Sequence, residues 1–254
     1  MTVPDLTPQR DSSPSARDPQ PADPAAAGVA SDPTGPLPDV VPPVVVVLVA
    51  HDPGWWFEET LASIGAQRYP NTSVLVVDAG SADPEQVRAR VAATLPGAHL
   101  RRLDDNPGFG PAVDEGVRSV QGAAFHLLCH DDVRLEPDTV QIMVEEAFRS
   151  NAGFVGAKVV DWHDPRRLLE VGMGADRFGQ PSPYVERGDL DQAQHDAVRD
   201  VFYLPGAATL VRADLFDALG GFDPGIDFHG EDLELCWRAH VAGARVVVAP
   251  DAVI

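Results

Sequence analysis

The chain has 254 residues, 44% of them hydrophobic, and a formal net charge of −20. That length and apolar content suffice for one large or two small packed units. Its bases are one lysine, Lys158, and otherwise arginine, which excludes a nucleic-acid partner, since that needs a basic face. An anionic substrate would need help against so acidic a chain, and a bound metal cation is one source of it.

Residues 1–42 are Pro, Ala, Asp and Ser without an aromatic residue, and eleven of the 24 prolines lie at or before Pro43. Such a segment buries too little apolar surface to offset its ordering entropy, so a disordered tail is expected there. It has no apolar signal-peptide core, and the longest apolar run, Val44–Ala50, is too short to span a bilayer. Cys129 and Cys236 sit in apolar stretches without zinc-ligand spacing and read as core thiols of a reducing compartment. A cytoplasmic location follows as an expectation.

VVVVLVA over 44–50 is a continuous β-branched run, as a central parallel strand requires. His51-Asp52-Pro53-Gly54 reads as a turn capping a helix over 55–67. A strand over 74–77 ends in Asp78-Ala79-Gly80-Ser81. Asp83-Pro84-Glu85 supplies a cap, a first-turn proline and an acidic first turn for a helix to about residue 95. A weaker strand at 99–103 leads to the glycine-rich turn Asn106-Pro107-Gly108-Phe109-Gly110 and a helix to about 120. Alternating strands and helices predict an α/β fold, a mostly parallel central sheet flanked by helices.

The next strand, FHLLC over 125–129, stops at His130-Asp131-Asp132. Ligands of such sheets bind outside the carboxyl ends of the strands. Two adjacent carboxylates there are costly unless a cation lies between them, and hard oxygens suit Mg²⁺ or Mn²⁺. From these residues alone a solvated Asp-Asp turn is the first reading, and it is the rest of the chain that raises the metal. Asp52 and Asp78 end on the same side, where Asp78 can accept hydrogen bonds from a base or ribose, or merely close a turn. The Gly108/Gly110 turn can bring backbone amides to a phosphate at the next helix N-terminus, or be an ordinary turn.

Beyond this point a helix is expected over 137–148 and a strand over 154–160. Residues 161–200 lose periodicity and read as a long binding loop, with room for a hairpin. Gly206 to Val211 is small and apolar. A helix over 213–219 stops at Gly220-Gly221. A second acidic point opens a helix over 231–242, followed by a last strand over 245–249. In that helix Leu233, Cys236, Trp237 and His240 or Val241 mark an expected buried face. Glu231, Asp232 and Glu234 offset the helix dipole, and a carboxylate there is also well placed as a general base.

With these segments in order, residues 44–254 resemble the inverting family 2 glycosyltransferases of GT-A fold, above all the bacterial rhamnosyl- and galactofuranosyl-transferase branch. The resemblance is carried by VVVVLVAHDPG, VVDAGSAD, NPGFGPAVDEG, LLCHDDV, LPGAATLVRADLFDALGGFD and GEDLELCWRAHVAGARVVVAPDAVI. It implies a transferase domain over 43–254, after the tail expected over 1–42. It implies a nucleotide-diphosphate sugar donor, a glycan or lipid-linked acceptor, and Mn²⁺ or Mg²⁺. His51, Asp52, Asp78, Asn106, Gly108 and Asp131 would bind the donor, and Asp78 would contact the nucleobase. Asp132 and His130 would hold the metal, and Asp232 would deprotonate the acceptor hydroxyl. Trp237 would pack, and Arg238 would pack or form a salt bridge. Ala79 stands where the family usually has Asn or Asp, and His130 where it usually has Asp or Asn. The resemblance also implies a continuation beyond residue 254, membrane-spanning in many relatives, and work at the cytoplasmic face of a membrane. Two other readings stay open: a non-catalytic nucleotide- or partner-binding module of the same fold, and a nucleotidyltransferase, against which stands the lack of a basic residue in His51-Asp52-Pro53-Gly54.

Overall fold

A computed structural model describes residues 41–226 and 229–254. The tail expected over 1–42 therefore lies outside the described residues up to position 40.

The amino-terminal half alternates as expected: β1 (Val44–Ala50), α1 (Phe57–Gly65), β2 (Thr72–Ala79), α2 (Pro84–Thr94), β3 (His99–Leu103), α3 (Phe109–Val117) and β4 (Phe125–His130). Every residue of β1 is buried, because helices cover both faces of the sheet. Val46 and Leu48 pack on the side of α1 and α2, and Val45, Val47 and Val49 on the side of α3. β1 pairs in parallel with β2 on one side and β4 on the other, and β3 extends the sheet beyond β2. Asp83 caps α2 as expected, accepting from Gln86 N at 2.9 Å. The expected cap of α1 is corrected. Its N-cap is Trp56 without a side-chain bond, and Asp52 instead accepts from Ala82 N at 2.7 Å, tying the β1 loop to the β2 loop.

The second half holds α4 (Thr139–Arg149), β5 (Ala152–Val160), β6 (Arg167–Glu170), β7 (Met173–Ala175), β8 (Pro181–Pro183), β9 (Asp189–Leu190), β10 (Arg199–Asp200), β11 (Ala208–Arg212), α5 (Ala213–Leu219), α6 (Glu231–Val241) and β12 (Arg245–Val253). The main path of strands runs β10-β12-β5-β11-β4-β1-β2-β3. β11 is antiparallel to both β4 and β5. Its beginning therefore lies beside their carboxyl ends, and His130 N donates to Ala207 O at 3.1 Å. This inversion delivers Pro205-Gly206-Ala207 to the edge where parallel strands end.

The expected long loop at 161–200 carries more structure than its sequence suggests. β6 pairs with β5 and β9 with β6, while β7 and β8 form a hairpin. The lone lysine explains part of this order: Lys158, 6% exposed, is ion-paired to Asp191 and Asp196.

The expected buried face of α6 holds at Cys236 and, half-buried, at Leu233, and is corrected at Trp237 and Val241. Leu235, Cys236 and Ala239 face the core, whereas Trp237 is 52% and Val241 79% exposed. Trp237 stands edge-on to Phe202 with ring centroids 5.8 Å apart. Arg238 pairs with Glu234 at 2.6 Å and donates to the carbonyls of Leu219 and Gly221, which fixes the end of α5. Among the described residues no helix is long and apolar enough to cross a membrane.

Candidate active site

Three loops at the carboxyl ends of β1, β2 and β3 are laced together. His51 Nδ1 lies 2.7 Å from Ala79 O, and Asp52 N donates to Ser81 Oγ at 2.9 Å. Asp52 itself sits at φ +46, a left-handed conformation that Asp tolerates better than most residues. Gly80, at φ +71, is pressed so close to the next loop that a Cβ would lie 2.5 Å from Asp105 C and 2.6 Å from Asn106 N. Asn106 Oδ1 accepts from Gly108 N at 3.0 Å, a local turn that sets Gly108 as N-cap of α3.

Asp78 is 1% exposed and its two oxygens are engaged, Oδ1 by Ser81 N at 3.1 Å and Oδ2 by Arg102 at 2.8 Å. A buried carboxylate needs such partners. Composition and pattern gave no hint of Arg102, because a basic residue in a weak strand reads as surface.

At the end of β4 the residues alternate in direction. Cys129 packs with the α1 side. His130 points to the other side, its ring 4.2 Å from that of Phe109. Burial holds the His130 imidazole below its usual acidity range, so it is neutral at neutral pH, while Asp132 and Glu231 oppose that shift. Asp131 turns back towards the β1 loop, where His51 N donates to it at 3.4 Å. Trp56, whose ring lies over Gly54, acts on the same carboxylate, but its buried indole N–H closes no hydrogen bond. Burial first, then the Asp132 charge, push Asp131 up to about 6.

The donors at this end suit a divalent cation. Asp131 and Asp132 repel each other, and relieving that repulsion is what a cation between them does. Glu231 adds an orphaned buried oxygen, Oε2, beside His130 and Asp232. Among the described residues no group of three or more such side chains is gathered to hold a metal alone. Mg²⁺ and Mn²⁺ accept this, being held by one or two carboxylates with substrate phosphates and water.

Asp232 opens α6 on the His130 side of the sheet. Its Oδ2 accepts from Gly206 N at 2.9 Å. A Cβ on Gly206 would lie 3.1 Å from Asp232 Oδ1 and 3.2 Å from both His130 Nε2 and Phe109 Cε1. The imidazole and the carboxylate therefore bracket one point. Burial first, and then Glu231, push Asp232 up to about 7, with the Gly206 N–H working against them. Glu170, at the end of β6, faces Asp232 and is pushed up to about 8 by burial first and by that neighbour, with Arg187 opposing. Tyr203 faces both acids. Neither Glu170 nor Tyr203 carried a sequence signal, since tertiary contacts, the pairing of Met173 with Tyr203 and the close approach of Gly172 to Val201, bring these segments together. Of the residues expected in the site, His130, Asp132 and Asp232 lie around the head of β11, while Asp131 turns to the β1 loop. His51, Asp52, Asp78, Asn106 and Gly108 form the adjoining laced rim.

A family model described as "Glycosyltransferase like family 2" matches residues 42–254. The O-antigen biosynthesis protein RfbC of Myxococcus xanthus is 27% identical over 184 residues, covering 71% of this chain and 14% of that protein. The N-acetylglucosaminyl-diphospho-decaprenol L-rhamnosyltransferase of Mycobacterium tuberculosis is 28% identical over 235 residues, covering 84% of this chain and 75% of that protein. Among solved structures, a mannosyltransferase from Pyrobaculum calidifontis in complex with GDP-Man and Mn²⁺ superposes with a TM-score of 0.61 at 23% identity. That match covers 89% of this chain and 59% of the other. The fold is thus the GT-A arrangement.

Proposed function

The chain belongs to the glycosyltransferase family 2-like proteins, and from that premise we propose that residues 43–254 form a metal-dependent inverting glycosyltransferase. It moves a hexosyl or deoxyhexosyl unit from a nucleotide-diphosphate donor to a hydroxyl of a cell-envelope glycan or lipid-linked acceptor. The observation that carries this reading is Asp232: a carboxylate held by one backbone N–H, pushed up to about 7, around the corner from the Asp131–Asp132 pair. The name of the Mycobacterium relative, a rhamnosyltransferase acting on a diphospho-lipid, supports a deoxyhexosyl donor and a lipid-linked acceptor.

Asp232 takes the proton of the acceptor hydroxyl as that oxygen bonds to the anomeric carbon. The bond from that carbon to the diphosphate breaks on the opposite face, so the configuration inverts. Asp132, with Asp131 and His130, would hold Mn²⁺ or Mg²⁺, which when bound supplies positive charge to the departing diphosphate. Asp78 and Arg102 form the nucleobase end of the donor site. His51, Asp52, Asn106 and Gly108 shape the rim between that end and the α3 N-terminus. The unpaired thiols Cys129 and Cys236 are in keeping with a cytoplasmic setting.

Calorimetric titration with UDP, dTDP and GDP, with and without Mn²⁺, tests the donor site. One nucleotide binds, the metal strengthens it, and Asp132→Ala removes the metal effect. A folded sample that binds none of the three under any metal condition would sink the reading.

A further inference from the structure

A cavity of about 180 Å³ lies on the other side of Asp132 from the nucleobase end. Its walls come from the ends of β4, β5 and β6, from Ala207 at the head of β11, and from the segment after β8. It is thus on the β5 side of the sheet, whereas Asp78 and Arg102 are on the β2–β3 side. Ala207 follows Gly206, whose N–H holds Asp232. The cavity therefore adjoins both the carboxylate pair and the base.

Two arginines line it, Arg134 and Arg187. Arg134 is fixed in place: its guanidinium lies 5.2 Å from the Trp162 ring centroid and 3.6 Å from Glu59. Arg187 is the unusual one. In a chain with 39 acids against 19 bases, nearly every cation finds a partner. Arg177 and Arg199 lack an ion pair but sit over the rings of Phe178 and Tyr184. Among the described residues, Arg187 alone among the arginines has neither a carboxylate at ion-pair distance nor an aromatic ring beneath it. Asp132, Glu136 and Asp161 share the cavity wall and Glu170 stands near enough to feel the Arg187 charge, but among the described residues none of them lies at ion-pair distance from it. Asp161 is occupied by the backbone N–H groups of His163 and Asp164 at 3.0 and 2.9 Å, and Glu136 is exposed at the rim.

We propose that this cavity is an anion subsite, in which Arg134 and Arg187 grip the diphosphate of a lipid-linked acceptor. The sugar of that acceptor then reaches Gly206 and Asp232, while its diphosphate lies beyond Asp132. Planar guanidinium groups suit phosphate oxygens, and a fixed arginine beside a free one gives both orientation and reach. This rests on the transferase reading and adds to it where the acceptor's charge is held.

The test is calorimetric titration of the whole chain in EDTA, so that no metal supports a diphosphate at Asp132. Geranyl diphosphate and inorganic diphosphate are the probes. Geranyl diphosphate binds without metal, and Arg187→Ala weakens it roughly ten-fold or more, the worth of a charge-assisted hydrogen bond. Arg134→Gln weakens it similarly, and Arg187→Lys only in part. Arg187 is exposed and without an ion pair, so its variants keep the parent melting temperature. Binding of inorganic diphosphate with equal or lower affinity and the same arginine dependence upholds the subsite. Tighter binding of the inorganic anion than of the ester overturns the acceptor assignment in favour of a free anion. Absence of binding in EDTA, or binding that survives both arginine substitutions, overturns the proposal. Parallel titration with UDP, dTDP and GDP in Mn²⁺ reports the donor site separately, so either reading can fail without the other.

Discussion

Asp232 is held by one backbone donor in a corner where burial and Glu231 disfavour its charge. A base must be ionised to act, so kcat/KM rises with pH and levels off above an inflection near 7. A flat profile from pH 5 to 9 in an active enzyme would remove Asp232 from that role. Asp232→Asn keeps the shape and the Gly206 bond but lacks the basic lone pair, and it lowers kcat by about 10²- to 10⁴-fold. Donor affinity, measured by titration, stays at the parent value. The same acidity has a consequence for stability. The folded-state value is raised, so the folded chain keeps a proton that the unfolded chain has released. The associated stability is complete below the ordinary carboxylate range, near 4, and is lost as pH rises through about 7. At about 1.4 kcal/mol per unit, the ionised group costs the fold up to about 4 kcal/mol. Asp232→Asn therefore melts higher than the parent at pH 8 and alike near pH 4. Glu170, raised to about 8, extends the window upward by the same reasoning.

α6 shows at the scale of an element why some positions are legible and others are not. Its sequence carries two overlapping apolar stripes, the expected Leu233-Cys236-Trp237 with His240 or Val241, and Leu235-Cys236-Ala239, which share Cys236. Periodicity alone does not rank them, and the bulkier stripe looks like the buried one. The structure buries the smaller set, among the residues that pack with β12. Leu235→Ala should cost about 2–4 kcal/mol, as a buried leucine does. Trp237→Ser should cost under about 1 kcal/mol, since half its surface is in water. Chemical denaturation of the two variants checks the order, and equal losses would restore the first assignment. The parallel half, β1 to β4, was legible because each buried strand is an apolar run that stops at a turn or an acid. β11 was not, because GAATLV has no direction in it. The antiparallel placement comes from pairing with β4 and β5 across about 80 and 50 residues of chain. Glu170 and Arg187 were invisible for the same reason, as their surroundings are assembled by short strands whose pairing is entirely tertiary. Asp232 and the Asp131–Asp132 pair were visible because a local motif carries them.

For the whole molecule, the charge of −20 sets how an anionic donor arrives. A nucleotide-diphosphate sugar, the proposed donor, would meet a repulsive field outside the site, and the arginines nearest the rim are spoken for. Arg102 is paired with Asp78, and Arg90 with Glu58. Attraction would therefore start only at short range, at the α3 N-terminus and at the metal that Asp131 and Asp132 are proposed to hold. Long-range repulsion between exposed charges is screened beyond a Debye length of about 10 Å at 0.1 M salt, whereas contacts inside the site are screened much less. The donor association rate should thus rise as NaCl goes from about 20 to about 200 mM, with the dissociation rate nearly constant. Stopped-flow tryptophan fluorescence can follow it, because Trp55 and Trp56 adjoin the His51–Gly54 loop. A basic nucleotide site gives the opposite slope. A rate that falls with salt here would mean that local cations, rather than the net charge, steer the donor. Arg187, the described arginine with neither an ion pair nor a ring contact, would then be the first substitution to try for its effect on that slope.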